Sequence, residues 1–155
     1  MNEFSPKSMA QVLTCHEDMQ AVLIESIRRS PVDFGVSQGR RSIEEQREHF
    51  RAKRSRLNPD DPEQLKRAMH LRNPSMAADI YVNVSPKAWP KGKDLAYEAS
   101  HLSLVAGVIL SVANELHERG VIKHAVRWGG DWDRDGCIIV DQDFDDLPHF
   151  ELVEV

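Results

Sequence analysis

The sequence predicts an α+β fold in which a small antiparallel sheet packs against helices. Two observations favour this class: one long amphipathic segment at residues 95–119, and several short strand-like segments separated by turns. The length of 155 residues suits one hydrophobic core and is short for two. Hydrophobic residues at 41% and charged residues at 29% are values of globular proteins, so neither disorder nor a membrane protein is indicated. We therefore expect residues 1–155 to form a single domain.

The first part of the chain predicts two helices and one strand. Apolar residues at spacings of three and four within residues 8–29 predict helices with a break at His16. Residues 33–38 alternate between apolar and polar, as in a half-buried strand, and Gly39 follows where a turn is expected.

A third helix is expected at Ser42, because Ser42 and Glu45 have the spacing of a capping box. This helix should run to about Arg54. Several prolines within residues 55–76 prevent long regular structure, although residues 62–69 suit a short helix.

The second half of the chain predicts most of the sheet and the longest helix. That helix should end at Gly120 as its C-cap, and seven apolar residues should face a core: Leu102, Val105, Ala106, Ile109, Val112, Ala113 and Leu116. Strands are predicted at residues 76–82, 126–128 and 150–153, with one loop at residues 86–92 and an acidic loop before the last strand.

Charge and composition restrict the classes of partner. The formal net charge of -5 argues against nucleic acid as a partner. As a separate expectation, the protein is a monomer. Positive charge is nevertheless concentrated in one segment, which indicates either a solvated helix face or a site for an anionic substrate. The segment contains Arg40, Arg41, Arg47, Arg51, Lys53, Arg54 and Arg56.

The sequence favours a protein of the cytoplasm in which it is made. The residues after Met1 lack the basic start and apolar region of a secretory signal. The longest apolar run, residues 104–110, is well short of a bilayer span, so we expect no stable membrane association. Cys15 and Cys137 are expected to be reduced rather than paired.

Three side chains form the candidate metal site. Asp79 is the only charge in a strand-like run, where a carboxylate is costly to bury unless it is paired or binds a metal. His70 precedes Asp79 by a loop long enough to fold back, and His149 lies beside the last predicted strand. Two imidazoles and one carboxylate suit a catalytic zinc ion that keeps a fourth position for water. The alternative is ordinary polar residues, since scattered His and Asp are common.

Asp146 is the candidate base. It lies three residues before His149, and positions i and i+3 of a regular strand face opposite sides. Asp146 could therefore reach the same ion only if the chain bends, and Leu147-Pro148 provides a credible bend. The alternative is an ordinary acidic loop residue, one of several in residues 141–146.

Four ordered motifs carry a family resemblance that covers nearly the whole chain. They are Ser37-Gln-Gly-Arg-Arg-Ser42 followed by Gln46, Met69-His70 leading to Pro74-Ser-Met-Ala-Ala-Asp79-Ile80, Trp128-Gly-Gly-Asp-Trp132, and Asp146-Leu-Pro-His149-Phe150. Together they resemble the VanY-like family of zinc D-alanyl-D-alanine carboxypeptidases and L-alanyl-D-glutamate endopeptidases, in particular its small phage endolysin branch. The resemblance implies the hedgehog/D-Ala-D-Ala peptidase-like fold.

The resemblance also implies roles for individual residues. His70, Asp79 and His149 would bind zinc, Asp146 would be the general base, and Arg41 would contact the substrate or the developing oxyanion. A fixed guanidinium suits charge that appears only in the transition state. Arg40, the neighbour of Arg41 in the motif, is the alternative for this contact, and Gln46 is expected to support the fold or Arg41 rather than the reaction. Trp128 and Trp132 are candidates to line the substrate cleft, although buried packing is the commoner fate of Trp beside glycines. The candidate substrate-binding residues are thus Arg40, Gln46, Trp128 and Trp132.

The implied function is hydrolysis of the peptidoglycan stem peptide by an L-alanyl-D-glutamate endopeptidase. A phage endolysin would wait in the host cytoplasm until it is released to the cell wall. Two alternatives remain at this point: a D-alanyl-D-alanine carboxypeptidase, and a catalytically inactive cell-wall-binding domain.

Two features depart from the family pattern or extend it. Ala68 stands where the family often has Ser, so a hydrogen bond to substrate or ligand is in doubt. Asp131, Asp133 and Asp135 begin a calcium-loop pattern, but Gln142 replaces the bidentate Glu, so no EF-hand is expected. Two interpretations of these carboxylates remain. They form either a calcium site of another shape, since some endolysins that the chain resembles respond to calcium, or an ordinary acidic surface loop.

Overall fold

The computed structural model describes residues 1–85, 87, 90, 91 and 94–155. Within these residues the helices are α1 (Pro6–Val12), α2 (Glu17–Arg29), α3 (Ile43–Arg51), α4 (Pro62–Lys66) and α5 (Ala99–Glu118), with a 3-10 turn at Met69–Leu71. The strands are β1 (Phe34–Gln38), β2 (Ala77–Val82), β3 (Ala125–Gly129) and β4 (Asp146–Val153).

The four strands form one antiparallel sheet in the order β1-β2-β4-β3. The last strand therefore lies in the middle of the sheet, where both of its edges are paired. In the ladder between β2 and β4, Asp79 is the direct partner of His149. The predicted α+β class with a small antiparallel sheet is confirmed.

Helix α5 forms the centre of the core, packed against α2 and the sheet. All seven of the residues predicted to face the core are buried. Removing a buried Leu such as Leu102 to Ala would typically cost about 2–5 kcal/mol of stability. By length and by a mean hydropathy of 1.4 this helix would also suit a membrane span. Its contacts with α2 and the sheet are those of a core helix.

Local capping explains where several helices begin and end. The predicted capping box is present, since Ser42 accepts from the Glu45 amide and Glu45 accepts from the Ser42 amide. Helix α3 nevertheless ends at Arg51 instead of Arg54, because Lys53 adopts a positive φ of 57°. Helix α5 begins at Ala99 rather than at residue 95.

The start of α5 follows from Glu98, whose carboxylate accepts from the amides of Ser100 and His101. The short helix predicted at residues 62–69 is interrupted after Lys66, and the chain resumes as the 3-10 turn. The loop predicted at residues 86–92 lies partly outside the described residues.

The junction of α1 and α2 is tied to the start of β3 by one buried carboxylate. His16 is the N-cap of α2, and its Nδ1 accepts from the Asp18 amide. Asp18 Oδ2 accepts from the amides of Lys123 and His124 at 2.9 and 3.0 Å and from His124 Nδ1 at 2.7 Å. Burial alone would raise the pKa of Asp18, but these hydrogen bonds outweigh it and lower the pKa.

Both cysteines are free, as the sequence predicts; Cys15 is buried, whereas Cys137 is exposed. Burial raises the pKa of the Cys15 thiol to about 11, so this side chain is uncharged at neutral pH. Cys15 therefore contributes to the core as a small apolar residue.

Candidate active site

Three donor atoms from distant parts of the chain meet at one point. His70 Nε2 lies 3.2 Å from Asp79 Oδ1, His149 Nδ1 lies 3.1 Å from the same oxygen, and the two nitrogens are 3.2 Å apart. Ligands bound at about 2.0–2.1 Å to a tetrahedral zinc ion are separated by about 3.3 Å. The donor set and its spacing therefore fit a zinc ion with these three protein ligands.

The fold brings these side chains together by strand pairing and by one short turn. Asp79 and His149 are direct partners in neighbouring strands, so their side chains lie on the same face of the sheet. His70 is the middle residue of the 3-10 turn, and its carbonyl accepts from the Arg41 amide at 2.8 Å. His70 and Asp79 belong to neighbouring segments, but His149 follows Asp79 by 70 residues, so the site exists only after β4 has joined the sheet.

The second nitrogen of each imidazole has a hydrogen-bond partner that fixes the orientation of the ring. His70 Nδ1 donates to the Gly39 carbonyl at 2.6 Å, which turns Nε2 towards Asp79. His149 Nε2 donates to Glu151 Oε2 at 2.9 Å, which leaves Nδ1 facing Asp79. Such partners select the tautomer and orient the ring in metal-binding histidines.

Protonation in this cluster is governed by the close approach of its members. Burial would raise the pKa of Asp79, but His70 and His149 hold it well below its ordinary value. Burial lowers the pKa of His149, whereas hydrogen bonds with Asp79 and Glu151 raise it to about 10. A metal ion would take the place of that imidazole proton, because histidine binds metals in its neutral form.

The ligands line a cleft of about 870 Å³, which Asp146 also lines. Burial raises the pKa of Asp146, partly offset by the charge of His149. A carboxyl group with a raised pKa, close to a metal site, has the properties of a general base and acid. These properties suit the candidate base, and the role of Asp146 stays a prediction.

A break in the strand ladder allows Asp146 and His149 to line the same cleft. Trp128 pairs with Phe150, but the next residue, Gly129, pairs with Asp146, so the register shifts between them. The bend expected at Leu147-Pro148 is thus present as an irregularity of β4. Gly129 permits it, because a Cβ at this position would lie 2.1 Å from the Asp146 carbonyl oxygen.

Arg41 is buried beside the ligands and is held by three side chains. Its Nε donates to Gln38 Oε1 at 3.0 Å, its Nη1 to Gln46 Oε1 at 2.8 Å and its Nη2 to Asp79 Oδ2 at 3.4 Å. Burial lowers the pKa of Arg41, and the charge of Asp79 opposes this. A guanidinium has five N–H groups, so two remain for a bound substrate.

Residues 1–153 match the family of phage L-alanyl-D-glutamate peptidases. The chain belongs to this family. Among solved structures, it is similar to the L-Ala D-Glu endopeptidase ChiX of Serratia marcescens, with 27% identity and a TM-score of 0.66. That similarity covers 98% of this chain and 91% of the other. A search of curated proteins found no match.

The comparisons confirm the resemblance drawn from the four sequence motifs and support a peptidase that acts on peptidoglycan. In this peptidase, the residues predicted as ligands and base all line one cleft. Not all of the other predicted site residues line this cleft, and the expectations for two of them, Arg40 and Trp128, are corrected below.

Arg40 does not line the cleft. Its side chain is exposed, and its backbone amide donates to Thr14 Oγ1 at 2.8 Å. Gln46 lines the cleft but holds Arg41, because its amide nitrogen donates to Ser55 Oγ and the Leu57 carbonyl while its oxygen accepts from Arg41. The expected substrate contact by Arg40 is therefore corrected, and Gln46 is a positioning residue.

The two tryptophans of the Trp128-to-Trp132 motif have different environments. Trp128 is only 2% exposed, stacks on Phe150 and donates from Nε1 to the Leu147 carbonyl at 2.7 Å. The expectation that Trp128 lines the cleft is therefore wrong. Trp132 does line it, with its ring centroid 5.7 Å from that of His149.

The acidic loop places the carboxylates of Asp131, Asp133 and Asp135 close together, with ligand atoms within 4.8 Å of one another. The same carboxylates accept from backbone amides of the loop, including those of Asp135 and Gly136. Gln142 accepts from the Trp132 amide at 3.0 Å and so closes the loop through a hydrogen bond. Calcium binding at this loop stays a prediction.

Glu151 is a residue of the site that the sequence analysis missed. It is 5% exposed and binds both His149 and Arg127, so it links a ligand to the next strand. A signal was available, because residues two apart in a strand share a face, and Glu151 follows His149 by two. A buried acid in that position indicates a partner for the imidazole.

Proposed function

We propose that this chain is a zinc-dependent L-alanyl-D-glutamate endopeptidase that acts as a phage endolysin on the peptidoglycan stem peptide. One observation carries the proposal: the donor atoms of His70, Asp79 and His149 are 3.1–3.2 Å apart in a cleft that the half-buried Asp146 also lines. The family and the similarity to a solved L-Ala D-Glu endopeptidase support the choice of bond.

The proposed reaction divides its tasks among residues of the cleft. A zinc ion held by the three ligands supplies Lewis acidity and lowers the pKa of water. Asp146 accepts a proton from the attacking water and delivers it to the leaving amine of D-glutamate. The two free N–H groups of Arg41 donate to the oxyanion that replaces the scissile carbonyl.

Digestion of purified peptidoglycan tests this function directly. We expect mass spectrometry to show new L-alanine carboxyl ends and new D-glutamate amino ends. A chelator should abolish the cleavage, and zinc should restore it. Release of free D-alanine instead would identify a carboxypeptidase, and wall binding without cleavage would identify a binding domain.

Matched histidine variants connect the cleavage to the proposed ligands. His149→Ala should lose both stoichiometric zinc and activity, because it removes one of three ligands. His117→Ala, on α5 and outside the described residues that line the cleft, should retain both. Equal activity of His149→Ala and wild type would overturn the metallopeptidase mechanism.

The endolysin role includes a proposed location, the host cytoplasm, until the protein is released to the wall. We expect cells that express the protein to remain intact until their membrane is permeabilised, and then to lyse. Lysis after permeabilisation by wild type but not by His149→Ala would support this role. Lysis by both variants would contradict it.

A further inference from the structure

The cleft is lined by five arginines, and three of them are committed to other groups. Arg41 is held by Gln38, Gln46 and Asp79, as described above. Arg127 is paired with Glu151, a buried carboxylate. Arg56 lies over the ring of Phe144, with its Cζ 4.2 Å from the centroid. These three cations therefore already have partners in the protein.

Arg54 and Arg67 also line the cleft, yet neither side chain has a hydrogen bond or ion pair within the part of the chain that the structure describes. Arg54 is exposed and precedes Ser55, whose Oγ accepts from Gln46, the residue that holds Arg41. Burial, Arg41 and Arg54 together lower the pKa of His49, which also lines the cleft. The charge of Arg67 acts instead on Asp61, the N-cap of α4. Arg54 is thus the unpaired cation that lies close to the catalytic arginine.

A chemical feature of the proposed substrate matches this cation. The residue that supplies the scissile nitrogen is D-glutamate, which has two carboxyl groups. Where the stem peptide continues through the γ-carboxyl, the α-carboxyl is free, either as a carboxylate or as an amide. It is attached to the carbon that bears the scissile nitrogen, so it must enter the cleft next to Arg41 and the ligands.

We propose that Arg54 binds the α-carboxylate of this D-glutamate and makes the enzyme prefer a free acid over an α-carboxamide at that position. This inference rests on the proposed function and adds a specificity-determining residue to it. A guanidinium forms short, charge-assisted hydrogen bonds with a carboxylate and none of comparable strength with a neutral amide. An arginine without a partner in the protein keeps its donors for the substrate.

Two synthetic stem peptides test the proposal, one with D-glutamate and one with its α-carboxamide, both linked through the γ-carboxyl. We expect wild type to cleave the acid with a kcat/KM about tenfold higher than the amide, mainly through KM, because one charge-assisted contact is worth roughly that factor. Arg54→Gln should lose this preference by slowing cleavage of the acid peptide alone.

Control variants separate the subsite from general effects of charge and folding. Arg51→Gln removes the same charge from the last residue of α3, which is exposed and outside the described lining of the cleft, so the preference should persist. Arg54→Lys should keep part of it. Arg54→Gln should melt at the wild-type temperature, because the side chain has no bond to lose.

Each outcome bears on the proposal. Equal cleavage of both peptides by wild type, or an equal loss on both peptides in Arg54→Gln, would overturn the subsite. If wild type cleaves neither peptide nor peptidoglycan, the proposed function fails instead. If the preference survives in Arg54→Gln, another group recognises the carboxylate and Arg54 is a solvated surface residue.

Discussion

The substitution Glu151→Gln tests whether a buried carboxylate controls the metal affinity of the site. Glu151 uses its two oxygens separately: Oε2 accepts from His149 Nε2 at 2.9 Å, and Oε1 accepts from Arg127. Glutamine has the same shape but only one oxygen. Either His149 or Arg127 must then face an amide N–H group, and the imidazole loses its fixed orientation.

The expected loss of zinc affinity is between tenfold and a hundredfold, the usual effect of removing such a partner. That range corresponds to about 1.4–2.7 kcal/mol of binding free energy. The dissociation constant can be measured by competition with a chelator of known affinity. At saturating zinc, the variant should recover most of its kcat, because Asp146 and Arg41 are unchanged.

Glu154→Gln is the matched control, since it makes the same chemical change at an exposed residue just after β4. Its zinc affinity should equal that of wild type. The melting temperature of the metal-free proteins shows whether the fold is also affected. Wild-type zinc affinity in Glu151→Gln would refute the reasoning that this carboxylate orients the ligand.

Three further predictions concern catalysis and stability. Asp146→Asn should lower kcat by about 10²–10⁴-fold with zinc still bound, whereas Asp143→Asn, in the exposed loop, should have wild-type kinetics; loss of zinc from Asp146→Asn would contradict the role as a base. Arg41→Lys should reduce kcat by about 10²–10³-fold with a smaller change in KM, which steady-state kinetics will show. Asp18→Asn should lower the free energy of unfolding by about 1–3 kcal/mol at pH 7, measured by urea denaturation. The folded-state pKa of Asp18 is lowered, so its stabilisation is present above the unfolded pKa of about 3.9 and is lost as pH falls through the folded value. The two proteins should therefore converge in stability at pH values below the lowered pKa of Asp18, and a constant difference would contradict this linkage.

Local sequence patterns were sufficient for much of the fold. The buried face of α5 was predicted residue by residue, because a 3.6-residue period determines which side chains share a helix face. The capping box at Ser42 was predicted for a similar reason, since both of its hydrogen bonds join residues three apart. The end of α3 was missed because it depends on the backbone of Lys53, a residue type without a strong preference for positive φ.

The site required information that no local pattern contains. His70, Asp79 and His149 were identified through ordered motifs, while their spacing alone left ordinary polar residues as the alternative. The burial of Trp128 depends on stacking against Phe150, a residue of another strand. The register shift beside Gly129 depended likewise on contact with the Asp146 backbone, which is distant in sequence. Pairing between strands decides such outcomes.

Because Asp79 pairs directly with His149, the proposed activity depends on the correct register between β2 and β4. A slip of one residue between β2 and β4 would turn one of these side chains towards the opposite surface. In a molecule in which β4 has not yet joined β2, the proposed ligand His149 and the proposed base Asp146 are both absent from the site. Incompletely folded chains should therefore have no hydrolytic activity. The activity should appear in a single step, when β4 pairs with β2.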